Sequence, residues 1–212
     1  MVRQARAIAT RNRLIEGAAR AFERLGYAEA SLGDITEEAG VTKGALYFHF
    51  RSKEELGVAI VEAQHATVRD AAAELLAEPR PVVEQMLRLA DDLARRLQTD
   101  PVVRAGIRLT TDSTAFEQPV QEPYRDWMTT FRELAERGIA ERELTADVDP
   151  AELAGFIIPA YTGVQLVSET FTGRSDLRER LLVMWRIVLA AVVPESGRDA
   201  ALELAREIFT AE

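Results

Sequence analysis

Few side chains in this 212-residue sequence could act as catalytic bases or nucleophiles. His49 and His65 are its only histidines, and it has no cysteine, so a histidine-based triad would have to use one of these two residues. The paired carboxylates Glu54–Glu55 and Asp91–Asp92 are adjacent in sequence, and adjacent residues point to different faces of a helix. The sequence contains no glycine-rich phosphate loop, no HExxH motif and no pair of residues at a spacing typical of metal ligands. The sequence therefore predicts no enzyme, no metal site and no cofactor.

One stretch near the N-terminus has the pattern of two short helices joined by a glycine turn. Ile35 and Ala39 lie four residues apart and can face inward together, and Gly40 follows where a helix would end in a left-handed residue. Thr42 is a good N-cap for a second short helix over Lys43–Phe50, whose own apolar residues repeat the four-residue spacing. Two short helices in this arrangement predict a helix-turn-helix.

The outward face of that second helix carries an unusual set of side chains. It combines one positive charge, hydrogen-bonding groups, two small residues that permit close approach, and more aromatic surface than a solvated helix normally has. Its members are Lys43, Gly44, Ala45, Tyr47, Phe48 and His49. The alternative is that the aromatic residues simply pack a small core. We interpret the set as the face of a recognition helix that enters a DNA groove.

Four segments around this helix resemble the DNA-binding domain of the tetracycline-repressor (TetR) family in order and spacing. They are residues 22–27 (FERLGY), 31–35 (SLGDI), 39–50 (AGVTKGALYFHF) and 52–56 (SKEEL), in about the first quarter of the chain. The resemblance implies an all-α protein with a three-helix DNA-binding domain over residues 1–52. It also implies a helical ligand-binding and dimerisation domain over residues 53–212, with the fourth helix as the link between the two.

The distribution of charge fits a DNA-binding N-terminal domain. The net charge of the chain is −9. Residues 1–53 nevertheless hold nine Lys and Arg against six Asp and Glu, and the remainder is acidic. Arg3 and Arg6 belong to a basic lead-in to the first helix, which is either a disordered tail or a contact to phosphates or the minor groove. Thr42 and Lys53 complete the predicted DNA contacts.

Beyond residue 81 the sequence shows helical periods and no convincing strand. We expect helices over about 82–98, 101–109, 124–142, 150–171, 175–193 and 198–209, and a loop over 110–123. No run of residues approaches the length of a membrane span, and no apolar signal segment follows Met1. The sequence thus predicts a cytoplasmic protein without membrane contact.

Two of these helices carry more apolar residues than a peripheral helix needs. Helix-turn-helix proteins usually work as two-fold dimers on pseudo-palindromic double-stranded DNA, because one recognition helix contacts too few base pairs. The resemblance implies a dimer formed by the last two long helices, although a monomeric core is the alternative. The predicted interface residues are Leu181, Met184, Trp185 and Val188.

Within the family, the chain looks most similar to the γ-butyrolactone receptors. The similarity lies in residues 2–6 (VRQAR), 40–50, 52–56, 100–109 (DPVVRAGIRL) and 156–172, and in the tryptophan at position 127. The resemblance implies a repressor released from DNA by a small, mostly apolar lactone, butenolide or furan signal, in control of secondary metabolism. It places a ligand-contacting tryptophan at Trp127, with polar contacts from Gln64 and Thr162. We add Thr130, which lies close to that tryptophan in sequence, and Tyr161, which precedes Thr162, as further predicted ligand contacts. From its residue type alone, Trp127 is equally a packing residue or an exposed anchor.

Two related functions stay open at this point. One is a repressor of an efflux or resistance gene that senses apolar drugs. The other is a receptor-like relative that has lost the signal and answers antibiotics instead. Both would keep the same DNA-reading domain.

Overall fold

The computed structural model describes residues 2–112, 115, 116 and 120–211, without the side chains of the first residues of the first helix. This part of the chain is helical, with no strand, which confirms the predicted fold class. No helix in it is long and apolar enough to cross a membrane. Ten helices follow one another: α1 (Val2–Leu25), α2 (Leu32–Ala39), α3 (Lys43–His49), α4 (Lys53–Ala77), α5 (Val82–Thr99), α6 (Pro101–Thr111), α7 (Glu122–Ala140), α8 (Pro150–Thr172), α9 (Leu177–Val192) and α10 (Glu195–Thr210).

Two predicted boundaries need correction. The N-terminal arginines are not a lead-in, because α1 begins at Val2 and carries Arg6 in its first turns. The predicted loop over 110–123 is shorter than expected, because α6 continues to Thr111 and α7 begins at Glu122. Pro123 is compatible with this start because the first turn of a helix does not need its backbone donor. Residues 113, 114 and 117–119 of the predicted loop lie outside the described residues.

The first compact unit comprises residues 1–70 and 99–121. Its core forms where α1 packs against α2, α3 and α6. Gly17 of α1 lets α2 approach closely, since a Cβ atom at this position would lie 2.7 Å from the backbone nitrogen of Ala39. Gly40 ends α2 with φ +59° in the left-handed region, as the sequence predicts. Leu46 and Phe50 are buried in the core, which confirms the predicted inward spacing of α3.

The second compact unit comprises residues 71–98 and 122–212. In it α8 packs against α7 and α9, and α9 packs against α10. The Glu143 carboxylate accepts hydrogen bonds from the backbone nitrogens of Val82 (2.8 Å) and Val83 (2.9 Å), and so caps the start of α5. The Arg178 guanidinium joins α9 to α5 through a 2.7 Å contact to the Asp91 carboxylate. The division of function at residues 52 and 53 stays a prediction, because α4 supplies residues to both units.

The predicted dimer-interface residues are wrong. Leu181, Met184, Trp185 and Val188 are all buried within the single chain. They lie on the side of α9 that packs into its own unit, because the apolar period of a helix marks its most buried face, whatever covers that face. A side chain with almost no exposed surface cannot form the area that a partner would cover.

Candidate nucleic-acid interface and ligand site

The outer face of α3 is the most unusual surface of the first unit. Tyr47 and Phe48 are 59% and 79% exposed, although both rings are large and mainly apolar. Thr42, Lys43 and Gly44 are exposed beside them, whereas Ala45 and His49 are half-buried. The Thr42 hydroxyl accepts a hydrogen bond from the backbone nitrogen of Ala45 at 3.2 Å, which confirms its role as N-cap. All the residues predicted from the outward face are therefore brought together on one short helix.

The turn before α3 is fixed by hydrogen bonds from both sides. The Arg13 guanidinium reaches from α1 and donates to the carbonyl oxygens of Ala39 (3.0 Å) and Gly40. At the start of α2, Ser31 and Asp34 form a reciprocal capping box. The hydrogen bonds from Ser31 lower the pKa of the Asp34 carboxyl. These contacts hold α3 in place before any DNA is present.

Lys53, predicted to contact DNA, is engaged within the protein instead. Its ammonium donates to the carbonyl oxygens of Tyr27 (2.8 Å), Ala28 (2.9 Å) and Ala30 (3.2 Å), and it lies 4.8 Å from the centre of the Tyr27 ring. An ammonium has three donors, so these three bonds use all of them. Lys53 therefore closes the loop between α1 and α2, and the prediction that it binds DNA is corrected.

Several other cations of the first unit are also neutralised. Arg20 and Arg24 pair with the Glu38 carboxylate, and Arg104 pairs with Glu23 at 2.6 Å. Six cations of this unit are exposed and have no acidic partner among the described side chains: Arg6, Arg11, Arg13, Lys43, Arg51 and Arg108. Of these, Arg13 donates to backbone carbonyls, and the Arg11 guanidinium lies 5.4 Å from the centre of the Phe50 ring. The side chain of Arg3 lies outside the described residues. Within residues 4–51, Arg6, Lys43 and Arg51 are the exposed cations without such contacts, and they are available to phosphates.

Arg51 was missed by the sequence analysis. It follows the buried Phe50 at the end of α3, and its backbone nitrogen donates to the Glu55 carboxylate at 2.6 Å. An exposed cation directly after a predicted recognition helix was the available signal.

The residues predicted to bind a ligand are divided between the two units. Gln64 belongs to the first unit, where it is 1% exposed and neither atom of its amide has a partner. The other four belong to the second unit. Three of their hydroxyls donate within the protein: Thr130 to Asp126 O (3.0 Å), Tyr161 to Ala90 O (3.1 Å) and Thr162 to Ile158 O (2.9 Å). Burial, assisted by the charges of Asp91 and Asp92, raises the pKa of Tyr161 well above its ordinary value, so this hydroxyl stays protonated.

Trp127 begins a row of aromatic rings in the second unit. The half-buried Trp127 ring lies 6.4 Å from the ring of Phe131, centre to centre, and Phe131 is stacked on Trp185 at 6.3 Å. Phe131 and Trp185 are buried, so this apolar wall presents only its Trp127 end to a small molecule.

Comparisons with known proteins cover both units. Residues 14–60 match the family model "Bacterial regulatory proteins, tetR family", and residues 80–194 match "Tetracyclin repressor-like, C-terminal domain". The chain belongs to the TetR family. Its members are transcriptional regulators, so this TetR-family protein is a DNA-binding regulator and not an enzyme.

Individual relatives of this TetR-family protein point to one part of the family. It is 36% identical to the A-factor receptor protein of Streptomyces griseus over 91% of this chain and 67% of the relative. A solved structure of an ArpA-like gamma-butyrolactone receptor matches with a TM-score of 0.83 and 32% identity, over 96% and 98% of the two chains. The structure of CprB from Streptomyces coelicolor with its operator sequence matches with a TM-score of 0.86 and 32% identity, over 98% and 100%.

A second exposed surface of this TetR-family protein lies on the outer faces of α8 and α9. Six large apolar side chains are exposed there, although the same helices bury their opposite faces. They are Phe156, Leu166, Val167 and Phe171 on α8, and Val183 and Ile187 on α9. None of these six residues was predicted from the sequence to be part of the interface. Monomeric proteins rarely expose such a patch.

Metal binding finds no support in the described part of this regulator. No group of three or more histidine, aspartate or glutamate side chains there could hold an ion.

Proposed function

We propose that this protein is a transcriptional repressor that binds a pseudo-palindromic operator as a homodimer. A small signal of γ-butyrolactone, butenolide or furan type releases it from that operator and so switches on genes of secondary metabolism. The observation that carries the proposal is the exposed, pre-positioned face of α3. The relatives of this protein support the proposed signal and operator, because they include an A-factor receptor, a gamma-butyrolactone receptor and a protein solved with its operator. Since the operator is chromosomal DNA, the protein acts in the cytoplasm.

DNA contact is assigned to the outer face of α3 and to the exposed cations near it. Lys43 contacts a phosphate or a guanine edge, and Tyr47 and Thr42 hold the backbone. Gly44 and Ala45 permit close approach, and Phe48 and His49 cover the groove. Arg6 and Arg51 add phosphate contacts, and Arg3 stays a predicted one. Because the half-sites of a two-fold operator lie about 34 Å apart or a multiple of it, two such heads must be held at a fixed spacing.

The test of this assignment uses a DNA duplex enriched from random sequence by the wild-type protein itself. Fluorescence anisotropy then gives the affinity as a function of salt concentration. We expect Lys43→Ala to weaken binding and to reduce the slope of log K against log salt by about one for each phosphate that the lysine neutralises. Arg20→Gln is the matched control, because Arg20 is already paired with Glu38. An unchanged affinity and slope in Lys43→Ala would show that Lys43 does not contact DNA.

The homodimer is assigned to the outer faces of α8 and α9. Four helices, two from each copy, would then bury the six exposed apolar side chains. An interface that joins two DNA-reading heads permanently needs a large apolar area, and this patch supplies one.

The signal is assigned to the second unit, beside the aromatic row that begins at Trp127. Thr130, Tyr161 and Thr162 stay predicted contacts, and so does Gln64. A ligand releases DNA only if it binds one arrangement of the protein more tightly than the other. Trp127→Ala should therefore keep operator binding but no longer respond to a synthetic γ-butyrolactone.

Two outcomes for Trp127→Ala, and one for the wild-type protein, distinguish the candidate functions and ligand sites. Operator binding without release assigns the ligand site to this wall. Release at the normal concentration would place the site elsewhere. Release of the wild-type protein by unrelated apolar drugs, and not by the lactone, would favour a repressor of efflux or resistance genes.

A further inference from the structure

Two buried polar groups in the second unit have no hydrogen-bond partner. Gln165 on α8 is 2% exposed, and both its Nε2 and its Oε1 atoms are buried and unpaired. Trp185 on α9 is 1% exposed, and its Nε1 atom is unpaired as well. A buried donor or acceptor without a partner destabilises the fold, and such groups are few in native proteins. An indole N–H and a complete amide in one core therefore require an explanation.

The hydroxyl groups around them are satisfied. One turn before Gln165, the Tyr161 hydroxyl donates to Ala90 O at 3.1 Å. One turn after it, the Ser168 hydroxyl donates to the Asp176 carboxylate at 2.6 Å. The core of this unit thus pairs its hydroxyls on both sides of Gln165 and leaves the amide unpaired.

Helix geometry places Gln165 and Trp185 at the same height along α8 and α9, measured from the turn between these helices. The short turn between α8 and α9 makes these two packed helices antiparallel. Gln165 is seven residues before the end of α8, and Trp185 is eight residues after the start of α9. At about 1.5 Å of rise per residue, both lie roughly 10–12 Å from the turn.

Counting residues along α7 and α8 also relates Gln165 to the aromatic row. Trp127 lies thirteen residues before the end of α7, and Gln165 lies fifteen residues after the start of α8. At the same rise per residue, each lies about 20–22 Å along its helix from the segment that connects α7 to α8. Trp185 itself ends the row, because it is stacked on Phe131. The unpaired amide and the unpaired indole N–H therefore lie level with the apolar wall assigned to the signal.

We propose that the Gln165 amide and the Trp185 indole N–H hydrogen-bond the polar end of the signal molecule. This inference rests on the proposed function and specifies the chemistry of its ligand. Trp185 can only donate, so it requires an acceptor such as a carbonyl or lactone oxygen. Gln165 can donate and accept, so it fits a hydroxyl or a second carbonyl. The ligand is accordingly a small, mostly apolar molecule with an oxygen acceptor and a hydroxyl, and not a hydrocarbon or a cationic drug.

The first test needs no ligand. Gln165→Met removes the unpaired amide while it nearly keeps the volume, so its thermal unfolding midpoint should equal or exceed that of the wild type. Ser168→Ala is the matched control on the same helix: it removes a hydrogen bond that is made, so its midpoint should fall. A fall in Gln165→Met as large as that in Ser168→Ala would mean that the amide is already satisfied, and it would overturn the proposal.

The second test exploits the small number of tryptophans. The chain has only two, so protein labelled with ¹⁵N-tryptophan gives two indole N–H signals, and Trp185→Phe identifies which belongs to Trp185. The probe is a synthetic γ-butyrolactone with an alkyl chain, a ketone and a hydroxyl group. On titration, the Trp185 signal should move downfield, and Gln165→Met should bind the probe at least tenfold more weakly while it keeps operator affinity.

The outcomes of the two tests are distinguishable. If the probe releases wild-type protein from DNA but the Trp185 signal stays in place and Gln165→Met binds normally, the polar contacts are elsewhere and the inference is wrong. If neither this probe nor a butenolide releases the operator, the proposed class of signal fails, and the unfolding midpoints alone decide whether the amide is kept unpaired.

Discussion

The helix-turn-helix segment and the bundle formed by α7, α8 and α9 differ in whether their buried polar groups have hydrogen-bond partners. Residues 31–56 are all described, and no buried side-chain nitrogen or oxygen there lacks a partner. In the bundle, by contrast, Gln165 and Trp185 keep unpaired polar atoms in the core. The outer surface differs too, because the bundle exposes large apolar residues such as Phe171 and Ile187 over two long helices.

This difference indicates which region is complete by itself. The helix-turn-helix segment is held in one conformation by caps and by the Arg13 and Lys53 contacts, as a rigid reading head requires. The bundle leaves groups unsatisfied inside and apolar area uncovered outside. Both features cost stability in the isolated chain. In the proposals made above, binding resolves both: a ligand pairs the polar groups, and a second copy covers the apolar area.

The largest expected effect comes from a pair of neighbouring residues on α9. Val188 is 4% exposed and Ile187 is 66% exposed, so the same substitution tests the inside and the outside of the bundle. Val188→Glu places a carboxylate in the core without a partner, and we expect a loss of about 4 kcal/mol or more, enough to unfold a marginally stable domain. Ile187→Glu should change the stability of the single chain little but should prevent dimer formation.

Circular dichroism and sedimentation velocity at micromolar concentration distinguish the two variants. Val188→Glu should lose helical signal or precipitate, whereas Ile187→Glu should sediment as a helical monomer. A dimeric Ile187→Glu protein would show that the outer face of α9 is not the interface.

The same two regions differ in how much of them could be predicted from sequence. The helix-turn-helix was predicted correctly because its determinants are local. Gly40 ends α2, Thr42 caps α3, and the spacing from Leu46 to Phe50 sets the buried face.

Tertiary contacts limited the prediction elsewhere. In α9 the apolar period predicted the most buried face correctly, but it did not show that α10, α8 and α7 cover that face within the same chain. Val183 and Ile187, on the other side of the helix, were missed for that reason. Lys53 was assigned to DNA because a lysine near a recognition helix suits a phosphate, and only the fold brings it to the Tyr27 and Ala28 carbonyls. The ligand residues Trp127 and Gln64 came from resemblance alone.

An effect of intermediate size is expected at Lys53, whose ammonium binds carbonyl oxygens of the protein and not DNA. Lys53→Met removes three charge-assisted hydrogen bonds to the loop between α1 and α2 while it keeps most of the apolar stem. We expect the free energy of unfolding to fall by about 1–3 kcal/mol. The slope of log K against log salt for operator binding should stay unchanged, because the ammonium is not available to a phosphate.

Lys43→Ala is the counterpart of this variant. It should leave the unfolding free energy nearly unchanged and reduce the salt slope, since Lys43 is exposed and has no acidic partner among the described residues. Denaturant unfolding and salt-dependent anisotropy measure the two quantities separately. A reduced slope in Lys53→Met without loss of stability would return Lys53 to the DNA interface.

The smallest expected effect concerns the turn over residues 173–176, which fixes the position of α8 along α9. Hydrogen bonds from Ser168 (2.6 Å) and Thr172 (2.7 Å), with a further one from Arg180, lower the pKa of the Asp176 carboxyl from its ordinary value of 3.8 to about 2. A lowered folded-state pKa means that the carboxylate stabilises the fold above about pH 4 and that this contribution disappears as the pH falls toward 2. Asp176→Asn should therefore be less stable than the wild type at pH 6, and the difference should shrink as the pH falls from 4 to 2. Urea unfolding of both proteins over this range measures the difference directly. A difference that stays constant with pH would mean that the carboxylate charge does not hold this turn, and that the register of Gln165 and Trp185 depends on packing alone.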